Sequence, residues 1–496
     1  MKTSILKTSL LAVTLLAAAC SSATDGPNGP NGKGGPKDDK GNVVNKEAAD
    51  KYAQGLAELE RHDKAGDWSE ATCAAVAQTF LDSADKQDKF FAPAIYNAGV
   101  AYHRCGNVAE ARKYYTQVLE KDQKAHRARV QLARLDLAAS NDAAIDKAMA
   151  EFERAVADSE FQNVEALVEI ARLQMKRNSN AADKEGANDF ERAKKNLQRA
   201  LAVDDGYMPA FNQLAIYYLE RAKQNVGKKR TTFARGADQQ KVDSQALDLS
   251  LLVASQAVRK NPGYAPIHNT AGLVSVEAGD LNRAVQSFGT ARKADPAFFE
   301  AHMNYAAVNM MFRGFQQAEE AYRAAIKLRP TDYDAHLGLA LALRGQIDNA
   351  PDGDKKLAEA EQLIEKAKTL DAGRPEAFFN HAILTQEYKA KAGKDANAAL
   401  EASIKLFDEF AKKAQGKAEF AEAVEDVTAV PTKADKDCLG AKAKKDKGCK
   451  RGRIFDIKEI IEFNKQSAAE QKKMEEEAKN RAAMEEAGAG GEEEKK

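Results

Sequence analysis

The sequence predicts an all-α fold made of repeated structural units. Two observations carry this prediction. The 496 residues are rich in Ala, Leu, Glu and Lys, which favour helix, and contain one Trp, 13 Tyr and 20 Phe. Prolines also recur at even intervals, at Pro262, Pro296 and Pro330. The regular interval indicates an array of similar structural units, and the composition excludes an all-β architecture.

The charged residues of the two signs are equal in number. There are 75 Lys and Arg and 75 Asp and Glu, so the formal net charge is zero and no overall field attracts nucleic acid or an anionic membrane. Hydrophobic residues make up 44% of the chain, charged residues 30%, and the mean hydropathy is −0.56. The chain is therefore too polar for a multi-span membrane protein but apolar enough to form a packed core.

Other residue types repeat at the same interval as the prolines. They are Ala257, Ala291, Ala325, His268, His302 and His336. In the unit that begins at Ala265, small residues, an aromatic residue and a closing proline stand at Gly272, Gly279, Ala284, Phe288 and Pro296. This pattern resembles the tetratricopeptide repeat (TPR), a helical hairpin that stacks into a superhelical solenoid. The resemblance implies that the small residues let the two helices approach closely and that Phe288 fills the gap to the next hairpin.

About nine such hairpins are expected between residues 47 and 416. The units that begin at Ala92 and Phe299 match strongly, and in the second of them Gly314 stands at the turn. Three weaker units carry insertions between their two helices, at residues 177–189, 226–240 and 346–354. Two interpretations are open. Insertions at one edge of a solenoid often bind a partner, but surface loops are also tolerated because closing them costs little entropy.

The first segment, residues 1–19, is predicted to be a secretory signal peptide. Lys2 and Lys7 are followed by an apolar run that is too short for a permanent membrane span. The small residues directly before Cys20 resemble the lipobox of bacterial lipoproteins, which implies that the signal is removed and that Cys20 carries the lipid. Ordinary cleavage that leaves Cys20 as a plain thiol is the alternative.

The residues after Cys20 indicate where such an anchor would lie. Cys20 is followed by Ser21 and Ser22, whereas an Asp after the lipidated Cys would resemble an inner-membrane retention signal. We therefore expect the anchored protein at the periplasmic face of the outer membrane. Residues 20–46 are predicted to be the lipidated Cys and a flexible Gly/Pro/Asn linker, because they contain few side chains able to bury apolar surface.

In the TPR resemblance, the first helix of each hairpin lines a groove through the second, fifth, ninth, twelfth and thirteenth residues of the unit, which we call the groove positions. In the central units they include Asn269, Leu273, Val276, Met303, Met310, Met311, Leu337, Leu341 and Arg344. Such a mostly apolar surface suits a peptide or an amphipathic helix of a partner. Two alternatives stay open: Met310 and Met311 are ordinary core, or the C-terminal residues 454–463 occupy the groove.

The three aligned histidines are expected to be structural. Stacked hairpins separate equivalent residues by about 10 Å, which is too far for one metal ion, so we expect no metal site.

Four cysteines remain once Cys20 is assigned to lipid. An even number in an oxidising compartment suggests disulfides, with a local loop between Cys438 and Cys449 and a second pair of Cys73 and Cys105. The spacings are wrong for a CxxC redox or zinc site.

The C-terminal end divides into two segments. Residues 417–453 are predicted to form a Lys-rich loop; from Lys433 to Arg453, nine basic residues and three Asp give a net charge of +6. Because no aromatic residues are interleaved, a solvated loop is favoured over a nucleic-acid site. Residues 454–496 are predicted to form a charged helix and a disordered acidic tail.

The sequence contains no HExxH or GxSxG motif and no phosphate-binding glycine loop. We therefore expect no enzyme and no cofactor, but a scaffold that binds other cell-envelope proteins. The order of parts resembles the outer-membrane TPR lipoproteins of the myxobacterial adventurous gliding motility machinery, which implies a role in organising an envelope-spanning complex. The alternatives are an assembly factor for outer-membrane proteins or secretin and pilus pores, and an envelope enzyme whose repeats hold its substrate.

Overall fold

The computed structural model describes residues 43–139, 144–224, 243–349, 351–392, 395–432 and 449–489. These ranges are mainly helical and contain no β-strand, and an isolated bridge joins Asp183 to Gly186. The predicted fold class, an all-α array of TPR-type hairpins, is confirmed. The described residues form two compact units, 43–298 and 299–489, which we call the N-terminal unit and the C-terminal unit. Cys20, Cys438 and the insertion at 226–240 lie outside the described residues.

Six hairpins make up the described part of the N-terminal unit. Their helices are α1 (Lys46–Ala65), α2 (Glu70–Asp85), α3 (Ala92–Arg104), α4 (Val108–Lys121), α5 (His126–Ala139), α6 (Ile145–Asp158), α7 (Val164–Arg177), α8 (Asp189–Val203), α9 (Met208–Gln224), α10 (Ser244–Lys260), α11 (Ala265–Glu277) and α12 (Leu281–Ala294). Odd-numbered helices are the first of each hairpin and even-numbered helices the second.

Three further hairpins and two terminal helices make up the described part of the C-terminal unit. The helices are α13 (Phe299–Met311), α14 (Phe315–Leu328), α15 (Tyr333–Arg344), α16 (Gly353–Leu370), α17 (Glu376–Leu384), α18 (Ala390–Ala392), α19 (Ala396–Ala414), α20 (Ala421–Thr428) and α21 (Arg453–Ala489). A π-helical turn, Thr385–Lys389, joins α17 to α18. Among the described helices, none has the length and apolar composition needed to cross a membrane.

A close contact between a small residue and an aromatic ring joins the two helices of several hairpins. A Cβ atom added to Gly272 of α11 would lie 2.5 Å from the ring of Phe288 in α12, and one added to Gly99 of α3 would lie 2.8 Å from the ring of Tyr115 in α4. Both rings are fully buried. The ring of Phe288 therefore covers the small residue of its own hairpin, and any larger residue there would push the two helices apart.

In several hairpins, the turn between the two helices contains one residue with a left-handed backbone. Gly279 supplies it between α11 and α12, with φ of 78°. At the equivalent point of the next repeat, the left-handed residue is Arg313, with φ of 58°, whereas Gly314 has φ of −74° and stands at the N-terminus of α14. The turn glycine expected from the sequence is thus displaced by one position, and an arginine carries the strained conformation.

The region expected to be a Lys-rich loop begins instead with helix. A 3₁₀ turn, Ala418–Phe420, runs directly into α20, and the side chains of Phe420 and Val427 are buried. Ile457 and Ile461 of α21 are buried in the same hydrophobic cluster. The prediction of a loop was wrong at this point because the segment is mostly charged and only a few of its apolar residues pack into the core. The two isoleucines therefore belong to the core at the end of the last hairpin.

The displaced turn gives a stability prediction. Arg313→Gly should raise the free energy of unfolding by about 1 kcal/mol, because glycine adopts the left-handed conformation without the Cβ clash. Chemical denaturation followed by circular dichroism measures the change. Arg313→Ala is the matched control, since it removes the same side chain but keeps the Cβ atom, and it should give no such gain. Equal stabilisation by both variants would contradict the backbone explanation.

Candidate functional site

Two of the three aligned histidines, His268 and His336, are structural anchors at the ends of repeats. Nε2 of His268 lies 2.8 Å from the carbonyl oxygen of Pro262, and Nε2 of His336 lies 2.9 Å from that of Pro330. Because a carbonyl oxygen only accepts hydrogen bonds, Nε2–H is the donor in both cases. Each imidazole thus ties the first helix of a hairpin to the end of the preceding repeat. Within the described ranges, no group of three or more His, Cys, Asp or Glu side chains is arranged to hold a metal ion.

In the N-terminal unit, neighbouring first helices are joined across their groove positions by paired charges. Arg134 of α5 bonds to Glu165 of α7 and donates from Nη2 to Glu169 over 2.8 Å, while Arg172 donates to Glu169 over 2.6 Å. Burial would raise the pKa of Glu169, but the two guanidinium groups outweigh it and hold the pKa below its usual value. Sequence reasoning missed this network, because the residue pattern of one repeat does not show which charged residues of neighbouring repeats contact one another.

The predicted groove residues of α11 are only partly accessible. Asn269 is buried, whereas Leu273 and Val276 are partly buried. Leu273 packs against the small cluster that contains Leu219 and Val274. These residues therefore contribute mainly to the packing of the N-terminal unit, and Leu273 and Val276 keep part of their surface exposed.

In the C-terminal unit, the predicted groove residues divide into core and surface. Met303 and Leu337 are buried, and Met310 and Leu341 are partly buried against the same core cluster. Met311 is 53% exposed. The interpretation of the methionines as ordinary core therefore holds in part for Met310, which packs against the cluster, but not for Met311.

Phe312 extends this apolar surface beyond the predicted positions. It follows α13 directly, precedes the strained turn at Arg313, and is 50% exposed. Two adjacent large apolar side chains, Met311 and Phe312, are thus half in contact with water. Sequence reasoning passed over Phe312 because the TPR pattern assigns that residue to the turn.

Arg344, at the end of α15, is the charged member of the predicted groove set. It is partly buried, and its Nη1 donates to Oδ1 of Asn380 in α17 over 3.1 Å. Nearby, Arg453 at the start of α21 donates to Gln386 and Glu387 of the π-helical turn, each over 3.0 Å. Sequence reasoning identified Arg344 but not Asn380 or Arg453, which come from later parts of the chain.

A disulfide joins the first two hairpins. Cys73 of α2 is bonded to Cys105, which follows α3, and the Cα atoms are 6.4 Å apart. Closing a loop of 32 residues in the unfolded chain corresponds to about 3–4 kcal/mol of stabilisation in the loop-entropy description. Cys449 is also disulfide-bonded. The expected pairing of Cys449 with Cys438 stays a prediction, since Cys438 lies outside the described residues.

The insertion between α7 and α8 is held by a buried carboxylate. Asp189 is inaccessible to solvent and accepts two hydrogen bonds of 2.8 Å from Arg177 and one of 2.6 Å from Arg192. The backbone N–H of Ser179 adds a further bond of 2.8 Å. Burial alone would raise the pKa of Asp189, but these donors lower it from 3.8 to about 2. This insertion is therefore pinned to the hairpin at both of its ends.

Asp189→Asn should lower the free energy of unfolding by about 2–3 kcal/mol, because it leaves two arginines without their shared charge. The stabilisation from a carboxylate with a lowered pKa is complete above the unfolded value of 3.8 and disappears as the pH falls through about 2. The difference between variant and wild type should therefore shrink as the pH falls from 3.8 to about 2 in urea titrations.

Asp183→Asn is the control for this prediction. The side chain of Asp183 is 51% exposed and contacts the same Arg192, so its loss should cost less than about 1 kcal/mol. A difference for Asp189→Asn that does not change with pH would contradict the assignment of the effect to the carboxylate charge.

One hairpin matches a known family. The model of the tetratricopeptide repeat covers residues 92–124, which contain α3 and α4. Residues 92–124 form a tetratricopeptide repeat. A search of curated proteins found no match to the chain.

Several solved structures are similar to parts of the chain, and two of those named below, TTC0263 and YrrB, are described as TPR proteins. TTC0263 of Thermus thermophilus is 24% identical over 44% of this chain and all of its own, with a TM-score of 0.35. MamA of Desulfovibrio magneticus RS-1 is 21% identical over 35% of this chain and 90% of its own, with a TM-score of 0.29. YrrB, described as having an unusual peptide-binding site, is 14% identical over 46% of this chain and 96% of its own, with a TM-score of 0.30.

Proposed function

We propose that the chain is a non-enzymatic scaffold that binds segments of other cell-envelope proteins. The observation that carries this proposal is the accessible apolar surface at the end of α13, where Met311 and Phe312 are 53% and 50% exposed. Met310 and Leu341 extend this surface as partly buried side chains. Repeats of this kind present a rigid surface rather than a reactive one, and adjacent exposed apolar residues are typical of a binding surface.

The ionisable clusters support a binding role rather than catalysis. The buried carboxylate of Asp189 is fully engaged by arginines, and Glu169 is engaged by Arg134 and Arg172. Such groups hold helices and loops together and are not poised to transfer protons. We therefore propose that function depends on which segments the chain binds and where it is anchored.

We place the scaffold at the periplasmic face of the outer membrane, attached through lipid on Cys20. The disulfide between Cys73 and Cys105 supports an oxidising compartment, where such bonds persist. The lipobox resemblance before Cys20 supports the anchor, and the order of parts supports a role in an envelope-spanning complex such as that of gliding motility. A lipid anchor would raise the local concentration of the scaffold beside membrane partners.

Cys20→Ala should move the protein from the membrane to the soluble periplasmic fraction, because one residue carries the anchor. Fractionation of the native envelope with immunodetection measures this. Ser22→Ala, which leaves Cys20 in place, should stay with the membrane. Unchanged membrane association of Cys20→Ala would contradict lipid attachment.

A photoreactive phenylalanine analogue at position 311 tests the binding surface in the native envelope. We expect crosslinks from this position to envelope proteins, because the side chain it replaces is half exposed beside other apolar residues. The control is position 252, where Leu252 is 52% exposed on α10, a second helix. The crosslinked proteins decide between the two scaffold roles: trans-envelope or motility subunits support the proposal, and β-barrel insertion machinery supports an assembly factor. Equal crosslinking at positions 311 and 252, or none, would contradict the surface assignment.

A further inference from the structure

The second half of α21 extends beyond the helices on which its first turns pack. Ile457 and Ile461 are buried with residues of α19 and α20, and Nδ2 of Asn464 donates to Oδ1 of Asn397 in α19 over 2.9 Å. From residue 468 to residue 482, by contrast, every side chain is exposed. A helix of this length is marginally stable in water without tertiary packing. This part of α21 is therefore a helix that a partner would stabilise.

Three large apolar side chains of α21 are also exposed. Phe463 is 68% exposed, Met474 61% and Ile460 45%. With about 100° of rotation per residue, the three lie within about 60° of one another around the helix. We call the side of the helix that carries them the apolar face of α21. Exposed apolar side chains on one face of a helix are typical of a docking surface.

The charged residues that lie on the apolar face are all acidic. They are Asp456, Glu459, Glu470 and Glu477. The lysines between residues 458 and 479 fall on the other sides of the helix. Glu470 lies between Phe463 and Met474 in the sequence and within about 40° of each around the helix. A carboxylate is thus set between the two most exposed apolar side chains of the face.

Cations of the described chain neutralise only part of this negative charge. Arg451 donates to Asp456 over 2.8 Å and is also bonded to Glu459, and Lys473 lies 4.0 Å from Glu477. Four carboxylates and two cations leave a surplus of two negative charges. The pair of Lys473 and Glu477 is exposed on both sides and contributes little. The apolar face therefore carries a net negative charge.

This charge distinguishes between possible occupants of the face. A second copy that docked through the same face would bring the same carboxylates to the interface, and like charges repel. An anionic membrane would be repelled in the same way. Residues 433–448 of this chain contain six lysines, but Leu439 is their one large apolar residue, which is too little to cover Phe463 and Met474 together. A segment that combines basic and apolar residues fits both properties of the face.

We propose that the apolar face of α21 binds an amphipathic helical segment of a partner protein in which Lys or Arg alternates with large apolar residues. Apolar side chains of this segment pack on Phe463 and Met474, and one of its cations lies against Glu470. A helix laid along α21 presents such groups at steps of three and four residues. This inference rests on the proposed scaffold function and adds a second surface to it, separate from Met311 and Phe312.

A photoreactive phenylalanine analogue at position 463 of the full-length chain tests the proposal in the native envelope. The analogue keeps the aromatic ring and crosslinks to whatever contacts it. Mass spectrometry of the crosslinked product identifies the bound segment, and we expect Lys or Arg three or four residues from large apolar residues. Crosslinks to residues 433–448, to a second copy or to an acidic segment would overturn the inference, as would the absence of crosslinks.

Three variants measure the contribution of single residues. The affinity of a labelled synthetic copy of the crosslinked segment for the full-length chain is measured by fluorescence anisotropy. Glu470→Lys and Phe463→Ser should each weaken binding about tenfold or more. Glu476→Lys is the matched control and should leave the affinity unchanged, because this exposed residue lies about 160° from Met474 around the helix. Added salt should weaken binding to the wild type.

Stability separates docking from a structural role. Since Phe463 and Glu470 are exposed, both variants should melt at the temperature of the wild type. If Phe463→Ser melts lower, Glu470→Lys decides the test. Unchanged affinity in Glu470→Lys, or an equal loss in Glu470→Lys and Glu476→Lys, would overturn this inference and leave the scaffold function intact. Failure to crosslink from both positions 311 and 463 would count against both.

Discussion

The close contact between a small residue of the first helix and an aromatic ring of the second determines how a hairpin is built. Gly55 under Phe80 repeats the arrangement of Gly272 under Phe288, with a distance of 2.7 Å from an added Cβ atom to the ring. Helices this close can take few crossing angles, because their side chains must interdigitate at crystal-like density. The contact therefore also determines which residues of the first helix are left facing outward. The groove positions are a consequence of the hairpin core.

Within this common frame, the two units use their groove positions differently. In the N-terminal unit, Arg134 and Arg172 are engaged by Glu165 and Glu169, so neighbouring hairpins are held by charges that satisfy one another. Such a surface offers a partner little, because a new hydrogen bond would replace one already made. The C-terminal unit leaves apolar side chains and Arg344 in contact with solvent. Binding energy is more readily available there, because a partner that covers the apolar side chains removes them from water.

The sequence alone predicted the hairpins well because the repeat interval reflects contacts between helices that are close together in the chain. It predicted the turn at Gly314 less well, since a one-residue shift to Arg313 changes no pattern of apolar residues. The helix Ala421–Thr428 was missed for a different reason: Phe420 and Val427 are buried in a cluster whose other members, including Ile457 of α21, come from separate helices. Local sequence patterns identify the repeats, whereas residues from distant parts of the chain complete the packing at the end of the last hairpin.

The state of Arg344 is the clearest case of such a distant contact. It lies in the same unit as Glu387, a carboxylate that would be its natural partner, and the two influence each other electrostatically. Arg453 follows far later in the chain, at the start of α21, and takes that carboxylate. A neutral side chain at position 453 would leave the carboxylate of Glu387 without this partner. A cation there does the opposite: it holds Glu387 and adds a second positive charge. Among the described residues, the side-chain hydrogen bond of Arg344 is then the one to Asn380, at 3.1 Å.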